Sequence, residues 1–102
     1  QGCLYALYSY EPGLFDKEIQ EHITSAILNW RKFFGDLLDD VLEVRKPKIP
    51  IDKVAIQDMF LAIFEGGFVL EKILKDPKAT SRQLQNLKNY LALIFDYEYI
   101  VG

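Results

Sequence analysis

The chain has 102 residues, half of them hydrophobic and 14% aromatic, and carries a net charge of −3. That length suits one domain spanning 1–102, and so much apolar material excludes a disordered tail. Basic residues are scattered apart from Arg45, Lys46 and Lys48, which argues against a nucleic-acid surface, because phosphate contacts need clustered Lys and Arg.

Residues 1–10 (QGCLYALYSY) are apolar and aromatic and read as part of a helix, ended by the turn signal Pro12-Gly13. Asp16 is placed to cap a second helix, with Glu18 and Glu21 near its positive end. From there Ile19, Ile23, Ile27, Trp30, Phe34, Leu37, Leu38 and Val41 recur at three- and four-residue steps, one apolar stripe along one face. Arg45 and Lys46 suit its C-terminus, and Pro47 stops it. Gly35 inside this helix costs about 1 kcal/mol relative to alanine, which points to a bend or a close contact.

Asp52 caps a third helix that runs to about Lys75 and is apolar on several sides. Met59, Phe60, Ile63, Gly67, Leu70 and Leu74 share one face, while Ile56, Phe64, Phe68 and Ile73 point elsewhere. Gly66-Gly67 in mid-helix implies the close approach of another helix. Asp76-Pro77 opens a last helix, and Thr80 with Gln83 is a second candidate start, a capping box. Its core stripe is Leu84, Leu87, Leu91, Ile94 and Phe95, widened by Tyr90, Leu93 and Tyr97, and residues from Asp96 to Gly102 read as a tail.

With no strand alternation, repeat or low-complexity segment, the fold class is all-α: a bundle of about four helices, the last two an antiparallel pair. A domain this small has a poor surface-to-volume ratio, so the over-apolar third helix is expected to meet a second subunit.

Little in the sequence speaks for catalysis. His22 is the single histidine, and with Glu18 and Glu21 it makes no metal-binding spacing. Asp36, Asp39, Asp40 and Glu43 read as the wet side of an amphipathic helix. Cys3, the one cysteine, lies in an apolar stretch and reads as a packed thiol; its solitude favours a reducing cytoplasm. No glycine-rich phosphate loop is present, because Gly66-Gly67 interrupts a helix. No stretch reads as a signal peptide, and Glu65, Glu71 and Lys72 break the longest apolar run too soon for a membrane span. The expectation is a cytoplasmic domain without enzymatic activity, metal or cofactor. Tyr5, Tyr8, Trp30, Phe33, Phe34, Met59, Phe60 and Phe64 sit on three helices that can converge. They make either an ordinary core or a pocket for an apolar or aromatic small molecule, oriented by tyrosine hydroxyls and the indole.

The opening Gly2-Cys3-Leu4 and the run Ile27-Leu28-Asn29-Trp30-Arg31-Lys32-Phe33-Phe34 resemble the middle of a TetR-type (tetracycline-repressor-like) bacterial transcriptional regulator. The fuller likeness is at the end: Phe60-Leu61-Ala62-Ile63-Phe64-Glu65-Gly66-Gly67-Phe68, then Asp76-Pro77, then Arg82-Gln83-Leu84 and Leu87-Lys88-Asn89-Tyr90-Leu91. The resemblance covers nearly the whole chain as a pattern of helices. It implies a ligand-sensing domain that homodimerises through its last two helices as a four-helix interface. Gly66, Gly67, Phe68, Leu70, Leu84, Leu87, Tyr90, Leu91 and Ile94 are the expected interface residues. It further implies a small-molecule effector pocket, and operator DNA bound only through an N-terminal helix-turn-helix head that this sequence does not contain. A helical protein–protein interaction module without a small-molecule ligand is the alternative.

Overall fold

A computed structural model of the chain describes residues 4–96, with side chains described from Leu7 onward. Four α-helices follow in order: α1 (Leu4–Tyr10), α2 (Lys17–Val44), α3 (Lys53–Leu74) and α4 (Ala79–Phe95), with a 3-10 turn at Pro12–Leu14 after α1. Among the described residues there is no strand, so the all-α expectation holds.

The helix boundaries follow from local chemistry. Asp16 accepts a hydrogen bond from the Ile19 amide (2.9 Å) and Asp52 from the Ala55 amide (3.1 Å), each satisfying an orphan donor of a first turn. Beyond Val44 the chain turns extended at Arg45, two residues before Pro47. α3 ends on Lys75 in the left-handed conformation (φ 53°), where the Asp76 amide reaches back to the Glu71 carbonyl at 3.1 Å. Asp76 then opens the next turn by accepting from the Lys78 amide at 3.0 Å. The alternative capping box at Thr80 does not form. Thr80 lies inside α4 and is buried, and its amide donates instead to the Glu71 carboxylate of α3 at 3.1 Å.

α3 is the central helix. Gly67 near its end packs on Thr80 at the start of α4, while Ile56 near its start packs with Ile94 and Phe95 at the other end. The two helices are therefore antiparallel. α2 packs on the first half of α3, and the close contact expected at Gly35 is found there. Gln57 of α3 fills the space a Gly35 side chain would need, and its Nε2 donates to the Arg31 carbonyl at 2.7 Å. Beside it Arg31 grips Asp58 with two parallel hydrogen bonds of 2.8 and 2.9 Å, a bond that raises the arginine pKa above its ordinary value. The loop after α2 is tied to the end of α4, where the Lys48 amide donates to the Ile94 carbonyl at 2.8 Å.

These helices form a thin layer. The molecule measures 45 × 31 × 20 Å with a radius of gyration of 16.0 Å, against about 13 Å for a compact domain of this size. Leu38, Ile56, Ile94 and Phe95 make the buried core, with Val41, Leu42, Ile51, Phe60 and Leu91 around it. Among the described residues no large side chain is completely shielded. α1 packs mainly on the turn that follows it, with Tyr8 edge-on to Phe15 at 5.8 Å.

Candidate functional site

Two features stand out on this layer. The first is an apolar groove where α2 and α4 converge on the first half of α3. It encloses a cavity of about 290 Å³, close to the lower end of small-molecule pockets. α2 supplies Phe34, Leu37, Leu38, Val41 and Val44, α3 supplies Ile56 and Phe60, and α4 supplies Leu91 and Phe95. The one charged residue in the wall is Arg45, which is exposed at the rim. Arg45 follows the last turn of α2, and its Nη1 donates to the Asp96 carbonyl at 3.3 Å. Asp96 in turn holds the Lys48 ammonium at 3.0 Å.

An aromatic stack leads into this groove. Phe34 and Phe60 lie face to face with centroids 4.1 Å apart, and Trp30 stacks on Phe34 at 5.5 Å. Phe33 meets Phe34 edge-on at 5.3 Å but is itself half exposed.

Of the eight aromatic and methionine residues expected to make one pocket, the seven whose side chains are described are thus separated. Only Phe34 and Phe60 line the groove. Trp30 and Phe33 face a shallow depression with Ala26 and Asn29 on the open side of α2, and Tyr8 faces another beside Ile23, Ile27 and Leu28. Phe64 pairs with Phe68 at 6.2 Å, and neither it nor Met59 lines the groove. The Tyr5 side chain lies outside the described residues, as do Cys3 and Tyr97 and the tail beyond Asp96. The reason is helical phase. Tyr8 is on a separate short helix, while Met59 and Phe64 project about 100° and more from one another around α3.

The second feature is a face of α3 and α4 that carries no formal charge. On α3 it runs through Met59, Ala62, Gly66, Leu70 and Ile73, about half a turn from Gln57 and so away from α2. On α4 it runs through Gln83, Asn86, Tyr90 and Leu93. Both follow three- and four-residue steps, and in an antiparallel pair they lie side by side. Ile73 is 71% exposed and Leu93 73% exposed, large apolar side chains left mostly uncovered.

This face shifts the expected interface. Gly66, Leu70 and Tyr90 are on it. Leu87 and Ile94, each 4% exposed, are inside the layer, and a partner gains almost no contact area from them. Gly67 is also buried, and the helix that approaches it is α4 of the same chain. Leu91 lines the groove and Leu84 is half-buried. Phe68 is exposed but projects to the α2 side of α3. Ile73 and Leu93, which the sequence assigned to no interface, are the most open apolar residues of the face. Their signal was available: each extends a three- or four-residue step from Leu70 or Tyr90.

Among the described residues no group of three or more His, Cys, Asp or Glu is placed to hold a metal ion, and no helix is long and apolar enough to cross a membrane. Comparison with known protein families, curated proteins and solved structures finds no match to this chain.

Proposed function

We propose that this chain is the ligand-sensing and dimerisation module of a TetR-type transcriptional regulator. The observation that carries the reading is the paired uncharged face of α3 and α4, which is what a two-helix contribution to a four-helix interface requires. The area supports it. The chain exposes 7633 Å², about 1,700 Å² more than the roughly 5,900 Å² typical of a compact monomer of its mass. A standard interface buries about 800 Å² per partner, so this excess leaves room for one partner and more. The apolar groove beside the interface supplies the sensing half. A ligand there touches α2, α3 and α4 together, so it favours one relative placement of the helices and shifts the dimer between conformations. In that scheme α2 and α3 transmit the motion to the DNA-binding head of the parent regulator.

Light scattering of the chain at micromolar concentration tests the interface. The expected species is a dimer, and a stable monomer sinks the reading. Gly66→Arg is the informative variant, because Gly66 is exposed and nothing lies within 4 Å of a Cβ built there in the single chain. It therefore leaves the helices intact and removes the dimer. Gly67→Arg, by contrast, disrupts the α3–α4 contact itself.

One observation favours a second reading, a helical module that docks another protein. Trp30 and Phe33 on the outer side of α2 are 42 and 54% exposed, away from the proposed dimer face. Phe33→Glu that leaves the dimer intact but abolishes binding of a partner protein is the result expected of that reading.

A further inference from the structure

We infer that the outer side of α2 docks a basic amphipathic helix of another protein, its apolar face on Trp30 and Phe33 and its cations on the acidic flank of α2. The inference rests on the docking reading of this surface and adds the chemistry of the partner. The apolar half follows from helical phase. Ile19, Ala26, Trp30 and Phe33 succeed one another at steps of seven, four and three residues, so they share one face. Ala26 is half-buried and the other three are exposed. The stripe is about 21 Å long, about four turns at 1.5 Å per residue. It lies on a convex surface, and the main chain beneath it is already hydrogen-bonded within α2. A partner must therefore satisfy its own backbone groups, which a helix does and an extended strand does not. Aromatic residues of this kind anchor such contacts.

Charge selects among the helices that could lie there. α2 carries six carboxylates against Lys17, Arg31 and Lys32, and that excess equals the net charge of −3 of the whole chain. Two of its three cations are engaged, Arg31 with Asp58 of α3 and Lys32 with Asp36 at 2.9 Å. Glu21, Asp40 and Glu43 make no ion pair among the described residues. Glu18, Asp36 and Asp40 run beside the stripe, within about 60° of Phe33 round the helix. This flank repels a second copy of α2, and it repels nucleic acid and anionic lipid for the same reason. A cationic amphipathic helix is attracted to it and gains apolar contact on the stripe.

The probe is a helical peptide of about sixteen residues, leucine on one face and lysine on the other, titrated into the full chain. Two control peptides carry glutamate in place of lysine, or the same leucines and lysines in scrambled order. Trp30 is the only tryptophan of the chain, so a blue shift of its emission reports cover of the stripe, and calorimetry gives the affinities. The lysine peptide is expected to shift Trp30 and to bind about tenfold more tightly than either control, with an affinity that falls as salt is raised. Phe33→Ser weakens it about tenfold and Asp40→Lys about threefold, with far-UV circular dichroism of both variants unchanged. Equal shifts from the lysine and glutamate peptides overturn the charge assignment and leave the docking reading standing. Binding as tight from the scrambled peptide overturns the helix as occupant. Binding that survives Phe33→Ser lies elsewhere on the chain and overturns the inference. Failure of all three peptides overturns both the inference and the docking reading.

Discussion

A methyl group added at Gly67 would sit 2.5 Å from Thr80 Oγ1 and 2.9 Å from Thr80 Cα, whereas one added at Gly66 meets nothing within 4 Å. The two neighbouring glycines therefore respond oppositely to alanine. Gly67→Ala is expected to destabilise by about 2 kcal/mol, because the obstacle is partly backbone and cannot step aside. Gly66→Ala is expected to stabilise the helix by about 1 kcal/mol through propensity. Chemical denaturation of both variants checks the pair, and equal effects contradict the packing described. Thr80 offers a third test at the same contact. Its hydroxyl is buried with no hydrogen-bond partner among the described residues. Thr80→Val keeps the shape and removes the orphan polar group, so stability should hold or rise by about 1 kcal/mol in the same denaturation series.

Asp76 gives a residue-scale pH dependence. The hydrogen bond from the Lys78 amide, aided by Arg82, holds its carboxyl below the ordinary value of 3.8. A depressed folded pKa means that the ionised form favours the native state. Its contribution is complete above the unfolded value and is lost as pH falls below 3.8 through the folded one. The stability difference between the parent chain and Asp76→Asn should be greatest at neutral pH and close on acidification. A gap that widens towards pH 3 contradicts the assignment.

At the scale of elements, the helix ends show where the chain is under strain and where it is not. Lys75 and Asp96 adopt positive φ (53° and 51°), the conformation that glycine takes most easily. Lys75→Gly keeps the Asp76 amide on the Glu71 carbonyl and relieves the Cβ, so it should raise stability by about 1 kcal/mol. Asp52→Ala has the opposite sign. It leaves the Ala55 amide without its acceptor and should cost about 1 kcal/mol, read from thermal unfolding. α2 and α3 are joined by more specific contacts than apolar packing alone, through Gln57 in the notch at Gly35 and Arg31 on Asp58. The arginine pair is partly exposed and screened by solvent, so the notch is the more discriminating of the two.

For the whole molecule, the layer is thin because three long helices have too little chain to surround one another. Helices are about 10–12 Å across, so a body 20 Å deep gives most of them one side open to the outside. This geometry makes the proposed dimer a matter of area. Ile73→Glu and Leu93→Glu each place a charge on the uncharged face while leaving the groove untouched. Both are expected to turn a dimer into a monomer in sedimentation velocity, with circular dichroism unchanged. A dimer that survives both substitutions means that this face does not carry the contact.

The sequence by itself determined the helices. Asp16 and Asp52 as caps and Pro47 as a stop are short-range chemistry, and each is where the residues place it, while Asp76-Pro77 makes the turn before α4, which starts two residues later at Ala79. The antiparallel pairing of α3 and α4 was legible for the same reason, since a four-residue link leaves the chain no other direction. Only the tertiary structure decided which apolar residues share a site. Phe34 and Phe60 line the groove while Trp30, Phe33, Tyr8 and Phe64 do not, because convergence depends on the rotation of each helix about its axis. That rotation is set by single long-range contacts such as Gln57 on Gly35 and Thr80 on Gly67. The same contacts decided that Gly67, Leu87 and Ile94 are interior, and that Arg45, which the sequence offers as a helix-end charge, stands at the rim of an apolar groove.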